Sequence, residues 1–124
     1  MSGIAAMRAV VLDCPDPKAL SEFYSAVVGW KPAYESDDWV SLADETGSFK
    51  LSFQRADDYR APDWPSPEKP QQFHLDLTVT DREKAGAEVV ALGAVKHPHQ
   101  PGEKDEGFTV YLDPAGHPFC LCDA

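Results

Sequence analysis

The sequence predicts an α+β fold in which one strand–helix–strands unit is written twice. Three observations carry that reading. Two segments open alike: Arg8-Ala9-Val10-Val11-Leu12-Asp13-Cys14 before Asp16-Pro17, and Phe73-His74-Leu75-Asp76-Leu77-Thr78-Val79 before Asp81. Each is followed by a helical pattern at a matching offset. Each helix is followed by strand-like pieces joined through an acidic, glycine-containing turn. A supersecondary unit repeated inside a chain of 124 residues points to a two-part domain with no room for a second independent one. The first module spans about 6–56, a proline-rich connection about 57–70, and the second module about 71–124.

The opening strand of the second module alternates cleanly. Phe73, Leu75, Leu77 and Val79 fall on one face, and His74, Asp76 and Thr78 on the other. Period two identifies a half-buried strand. In the first helix Asp16 is placed to cap and Pro17 fits the first helical position. Leu20, Phe23, Tyr24, Val27 and Val28 then form one face, and Gly29 ends it. In the second helix Thr80 and Glu83 have capping-box spacing, Ala85, Val89 and Leu92 make the stripe, and Gly93 ends it.

After the first helix a strand is expected near Lys31 to Tyr34. Two more are expected at Trp39 to Leu42 and Phe49 to Gln54, joined through Asp44 to Gly47. The second module expects a short strand near Val95 to His97. Its hairpin runs from Phe108–Leu112 through Asp113-Pro114-Ala115-Gly116 to Pro118–Cys122. Four prolines within Ala61–Pro70 exclude a helix interior and favour a stiff, extended connection. The polar stretch Pro98 to Gly107 reads as a mobile loop.

Composition narrows the function classes. Hydrophobic residues make up 43% and charged residues 26%, which is globular and not disordered. The longest apolar runs are a few residues, so no membrane span is expected. The start has no basic segment followed by an apolar stretch, so no signal peptide is expected. The formal net charge of −10 repels phosphate backbones, which makes nucleic acid a poor partner. Three cysteines without an export signal do not suggest a disulfide framework, and the chain reads as cytoplasmic. There is no phosphate-binding glycine loop, no Gly-x-Ser-x-Gly elbow and no Cys-x-x-Cys knuckle.

The repeat resembles the vicinal oxygen chelate superfamily, which groups glyoxalases, bleomycin-resistance proteins and extradiol dioxygenases. More narrowly it is similar to small bacterial glyoxalase-like proteins. The residues that carry the resemblance are Asp16-Pro17, Phe23-Tyr24, Gly29-Trp30, Phe73 to Leu77, Ala91 to Ala94 and Asp113 to Leu121. The resemblance implies two βαβββ modules forming a curved mixed sheet around a cleft, and a homodimer. It also implies where metal-using members place ligands: on the first and last strands of each module. Those positions fall on Ala9, on Ser52 or Gln54, on His74 and on Cys120. Alanine cannot ligate, so the usual four-ligand set is incomplete.

Two function classes follow. The first is a binder of a small organic molecule in the cleft, without the usual metal site and without a cofactor. Its candidate ligand-binding residues are His74, Asp76, Trp39, Gln54, Arg55 and Cys120. Trp39 would stack on a planar or cationic ligand, and Arg55 would meet an anionic one or neutralise nearby acids. The second is a metal-dependent lyase, isomerase or dioxygenase using zinc, nickel, manganese or iron. His74 is its candidate ligand or base, Asp76 orients it, and Gln54 or Cys120 completes the shell. His74 and Asp76, two apart on a strand, share a face, so a plain histidine–aspartate hydrogen bond is expected under either class. Cys120 and Cys122 stand too far apart along one strand for an easy disulfide.

Overall fold

The computed structural model describes residues 3–101 and 107–124. The chain divides into two compact units, Met1–Tyr59 and Arg60–Ala124, each with its own mixed four-stranded sheet. The first unit contains β1 (Ala9–Cys14), α1 (Pro17–Val28), β2 (Lys31–Glu35), β3 (Trp39–Ala43) and β4 (Lys50–Arg55). The second contains β5 (Leu75–Val79), α2 (Arg82–Ala91), β6 (Val95–Lys96), β7 (Phe108–Leu112) and β8 (Pro118–Asp123). The strand orders are β1-β4-β3-β2 and β5-β8-β7-β6. In both, the first and last strands run parallel and the others antiparallel. Each unit is therefore a βαβββ module, as the repeat predicts.

The ladders make the two modules comparable residue by residue. Ser52 lies between Val11 and Ser41. Cys120 lies between Asp76 and Val110. Ser52 thus holds in module one the place that Cys120 holds in module two, and Val11 the place of Asp76.

In module one the core lies on the helix side of the sheet. Leu12, Val40, Leu42, Leu51 and Phe53 are buried there with Leu20, Phe23 and Tyr24 of α1. Tyr24 stacks on Phe53 at 5.7 Å between ring centroids and meets Phe23 edge-on at 4.9 Å. α1 begins as expected: the Asp16 carboxylate accepts from the backbone N–H groups of Lys18 and Ala19, and Pro17 stands in the first turn. It ends at Gly29, whose φ of 77° is left-handed and whose N–H donates to the Ser25 carbonyl. β2 is exposed along its whole length. Pro32 is tolerated there because the strand is an edge.

In module two Val89 of α2 is buried, as are Val110, Tyr111, Phe119 and Leu121 of the sheet. Tyr111 stacks on Phe119 at 5.9 Å. The helix approaches the sheet closely at Gly86, where an added Cβ would run into the Tyr111 hydroxyl. Arg82, in the first turn, donates to Asp123 of β8 at 2.7 Å and to Thr109 of β7 at 3.3 Å.

Three local expectations are corrected. The cap of α2 is Asp81, which accepts from the Lys84 N–H at 3.1 Å; the Thr80–Glu83 spacing is one residue out of step with the helix start. Leu92 is exposed and not part of the stripe, because it is the C-cap; the buried positions of the helix are Gly86 and Val89. The first strand of module two begins at Leu75, leaving Phe73 exposed and His74 just ahead of the ladder. Part of the polar loop read over Pro98–Gly107 lies outside the described residues.

The proline-rich connection is fastened to module two. Trp64 sits edge-on between His97 and His99, with centroids 5.2 and 5.1 Å away. His97 is buried. Its Nε2 meets the Trp64 carbonyl at 2.8 Å, and its Nδ1 accepts from the His99 N–H at 3.0 Å. That pair of contacts fixes the ring as the Nε2–H tautomer. Gln100 closes the corner, donating to the carbonyls of His97 and Val110 and accepting from the Val110 N–H.

Candidate functional site

Alternation along β5 sends Leu75, Leu77 and Val79 to the helix side and Asp76 to the other. His74, two residues before Asp76, shares its side. On the neighbouring parallel strand, Cys120 is the direct partner of Asp76. The three side chains therefore converge on the helix-free face of module two. His74 Nε2 lies 3.1 Å from Asp76 Oδ1, and one ligand-type atom from each of His74, Asp76 and Cys120 lies within 4.8 Å of the others. His74 and Asp76 are exposed, whereas Cys120 is buried.

Asp76 is the centre of this group. Its carboxylate lies beside the His74 ring on one side and the Cys120 thiol on the other. Burial, then the neighbouring Asp76 carboxylate and Cys122, push the Cys120 thiol up to about 12, so it stays protonated at neutral pH. Cys122 is shifted in the same direction, first by burial and then by Asp76. Cys14, Cys120 and Cys122 are not joined in disulfides. The site in this state is an exposed carboxylate flanked by an imidazole and a neutral thiol.

The same face of module one has different chemistry. Ala9 pairs with Lys50 and Val11 with Ser52. The Ser52 hydroxyl is 2.8 Å from the Ser41 hydroxyl, which in turn accepts from the Trp39 indole N–H at 2.8 Å. Both serines are buried. This chain of bonds engages Ser52 and pins the Trp39 ring. Trp39 is also the ladder partner of Gln54, so these two predicted residues are neighbours on one face. Arg55 follows Gln54 on the strand and has the opposite parity. It is held by Asp57 at 3.2 Å and Asp38 at 3.7 Å, the neutralising role that an arginine among acids takes.

A divalent ion can be tested against these donors. Imidazole, carboxylate and thiol together suit zinc, whose bonds of about 2.0–2.3 Å place tetrahedral donors roughly 3.3–3.8 Å apart. The His74–Asp76 separation is close to that spacing, and the outer limit for the group is about one ångström beyond it. Module two therefore fits three of four tetrahedral positions. Module one adds nothing at the matching places, since Ala9 has no donor and Ser52 is engaged.

Comparison with known proteins places this fold. A family model described as Glyoxalase-like domain matches residues 9–122, and the chain belongs to that family, within the vicinal oxygen chelate superfamily. The structure is similar to a glyoxalase/bleomycin resistance protein/dioxygenase family enzyme from Burkholderia phytofirmans PsJN, at 20% identity and a TM-score of 0.70, covering 96% of this chain and 98% of that one. It is similar to a glyoxalase family protein from Enterococcus faecalis, at 22% identity and a TM-score of 0.65, with the same coverages. It is also similar to the bleomycin-binding protein of Streptomyces verticillus, solved with copper(II)-bleomycin, at 17% identity and a TM-score of 0.59, covering 98% of each chain. At these identities the likeness carries the fold and not the activity. No curated protein matches the chain significantly.

The sequence anticipated the His74–Asp76 contact and the place of Cys120. It missed the Trp39–Ser41–Ser52 chain, because two serines on neighbouring strands give no sequence signal until the register is known. It also put His97 at the end of a short strand and His99 in a polar loop without seeing what they pack against. The available signal was a tryptophan among prolines that needed something to pack against.

Proposed function

We propose that this protein binds a small organic molecule bearing a cationic or hydrogen-bond-donating group, with the Asp76 carboxylate as its anchor. One observation carries the reading: the Asp76 carboxylate is exposed and is flanked by His74 and Cys120 on the helix-free face of module two. A carboxylate already oriented by neighbours loses less freedom when a ligand docks. His74 contributes a second polar contact. On its own helix-free face, module one offers the pinned Trp39 ring and Gln54 as stacking and hydrogen-bonding groups. Arg55, engaged by two carboxylates, serves charge neutralisation. Binding of a small molecule by a protein of this fold has a precedent in the bleomycin-binding protein of Streptomyces verticillus.

The family's four-position metal chemistry does not suit this chain, because two of its positions fall on Ala9 and on the hydrogen-bonded Ser52. A catalytic reading would have to run on module two alone. The homodimer implied by the resemblance and the cytoplasmic setting read from the sequence belong to the same proposal. Among the described residues, no helix is long and apolar enough to cross a membrane.

The test is a screen of aromatic amines, quaternary ammonium compounds and neutral aromatics by thermal stabilisation, with chelator present throughout. The expected hits are cationic, and they lose their effect in Asp76→Asn, a variant that preserves shape and removes the charge. Stabilisation by anionic compounds only, or hits indifferent to Asp76→Asn, would overturn the reading.

A further inference from the structure

We infer that module one carries an organic-cation subsite of its own, the row Trp39–Gln54–Asp13 on its helix-free face. It takes a single aromatic ring bearing a planar cation with N–H groups, such as an amidinium. The inference rests on the reading of Trp39 and Gln54 as ligand-facing groups, and it adds Asp13, the charge those two lack.

The row is set by register. Asp13 of β1 is the ladder partner of Gln54 on β4, and Gln54 is the partner of Trp39 on β3. The next row, Leu12, Phe53 and Val40, is buried on the helix side. Alternation therefore sends Asp13, Gln54 and Trp39 to the helix-free face together. Asp13 and Gln54 are exposed, and Trp39 is half-buried. The Trp39 ring is held by its Nε1–H bond to the Ser41 hydroxyl at 2.8 Å. Stacking on a ring already fixed costs little side-chain freedom.

The repeat shows that the fold does not require these residues. In module two Thr78 pairs with Cys122, and Cys122 with Phe108. Thr78 thus holds the place of Asp13, Cys122 that of Gln54 and Phe108 that of Trp39. The matching row has an aromatic ring but neither the carboxamide nor the charge. Asp13 does not cap the helix either, since Asp16 does that. Aspartate is also a poor strand former, and here it stands inside β1.

The chemistry of the row selects the ligand. Two strand spacings, about 10 Å, separate Trp39 from Asp13. One ring lying on the indole, with its charged group directed along the row, spans that distance. A carboxylate accepts two parallel N–H bonds from a planar cation. The Gln54 carboxamide, between the two, accepts a further N–H or donates to a ring nitrogen. A quaternary ammonium ion has no N–H to give and uses the charge alone. Arg55 does not compete for Asp13: it has the opposite parity on β4 and is engaged by Asp38 and Asp57.

The test titrates the isotope-labelled full-length chain, in chelator, with benzamidinium and with benzyltrimethylammonium. The chain has three tryptophans, and the indole N–H resonance lost in Trp39→Phe is the reporter. The expected result is a saturable shift of that resonance and of the Asp13 and Gln54 amides. Benzamidinium binds about tenfold or more tighter than benzyltrimethylammonium. Asp13→Asn, which keeps the shape at an exposed position, weakens benzamidinium by roughly tenfold or more, and Gln54→Ala weakens it less. A Trp39 resonance that does not move, equal affinity for the two ions, or full affinity in Asp13→Asn would overturn the inference. Its failure is distinct from that of the Asp76 reading. Shifts confined to residues 74–76 and 119–122, and removed by Asp76→Asn, overturn this subsite and sustain the anchor on module two. A Trp39 shift removed by Asp13→Asn, with module two unmoved, sustains this subsite and sinks that anchor.

Discussion

The geometry of the site depends on the turn that sends the chain from β7 into β8, and the Asp113 carboxyl builds that turn. It is buried, with Oδ1 accepting from the Ala115 N–H at 2.8 Å and from the His117 N–H at 3.0 Å. The backbone adds Asp113 N–H to the His117 carbonyl and Gly116 N–H to the Asp113 carbonyl. Gly116 has a φ of 89° and leaves no room for a Cβ, which would collide with Ala61. Replacing Asp113 with alanine strips the acceptor from two backbone donors at once. At about 1–1.5 kcal/mol each, the expected loss is about 2–3 kcal/mol. For a chain of this size that lowers Tm by roughly 8–12 °C. Asp113→Asn retains the oxygen and should recover most of the loss. The matching turn of module one supplies a control: Asp44 accepts from Thr46 and Phe49, which lowers its carboxyl pKa, but it is only half-buried, so Asp44→Ala should cost clearly less. Urea and thermal unfolding of the three variants decide the matter. An Asp113→Ala protein as stable as the wild type, or no more affected than Asp44→Ala, would refute the argument.

Other outcomes follow from particular contacts. At pH 8 a thiol of ordinary pKa 9.0 is about one-tenth thiolate, whereas one raised to about 12 is about one part in ten thousand. Cys120 should therefore be alkylated about a thousandfold more slowly than a free cysteine, and faster in Asp76→Asn; mass spectrometry of its peptide reads this, and a normal rate would contradict it. Because the folded pKa lies above the unfolded one, the neutral thiol's contribution to stability is complete below pH 9 and lost as pH rises towards about 12, which a pH series of urea midpoints will show. His97→Phe keeps a flat ring but removes its contacts to Trp64 and His99, and should cost about 1–3 kcal/mol with a red shift of tryptophan emission; unchanged stability and emission would remove His97 as the fastener of the connection. Asp81→Ala should cost about 1 kcal/mol and Thr80→Ala much less, and the reverse order would restore the capping box.

Much of the fold was legible because it rests on short-range rules applied twice. Asp16, Pro17 and Gly29 act locally, and each does what its chemistry dictates. The alternation of Leu75, Leu77 and Val79 needs only the pleat of one strand. The second helix was harder to read. Asp81 and Thr80 are both good caps, and the choice between them depends on where α2 meets the sheet at Gly86 and Tyr111. Leu92 looks apolar in the stripe, yet the helix has ended there. The site divided in the same way. His74 and Asp76 are two apart in one segment, so their contact could be read directly. Cys120 joins them through a ladder spanning more than forty residues, and only the resemblance to the family suggested it. The burial that makes Cys120 a neutral thiol, and the serine chain that holds Trp39, depend on register and packing and are invisible in the sequence.

The central claim is that ligands reach this protein at the helix-free face of module two, anchored on Asp76. The most direct measurement is amide chemical-shift mapping of the isotope-labelled chain in chelator, titrated with a cationic aromatic amine. The account predicts saturable shifts led by residues 74–76 and 119–122, lost in Asp76→Asn. Shifts centred elsewhere, such as on α2 or β2, or a pattern unchanged by Asp76→Asn, would contradict it.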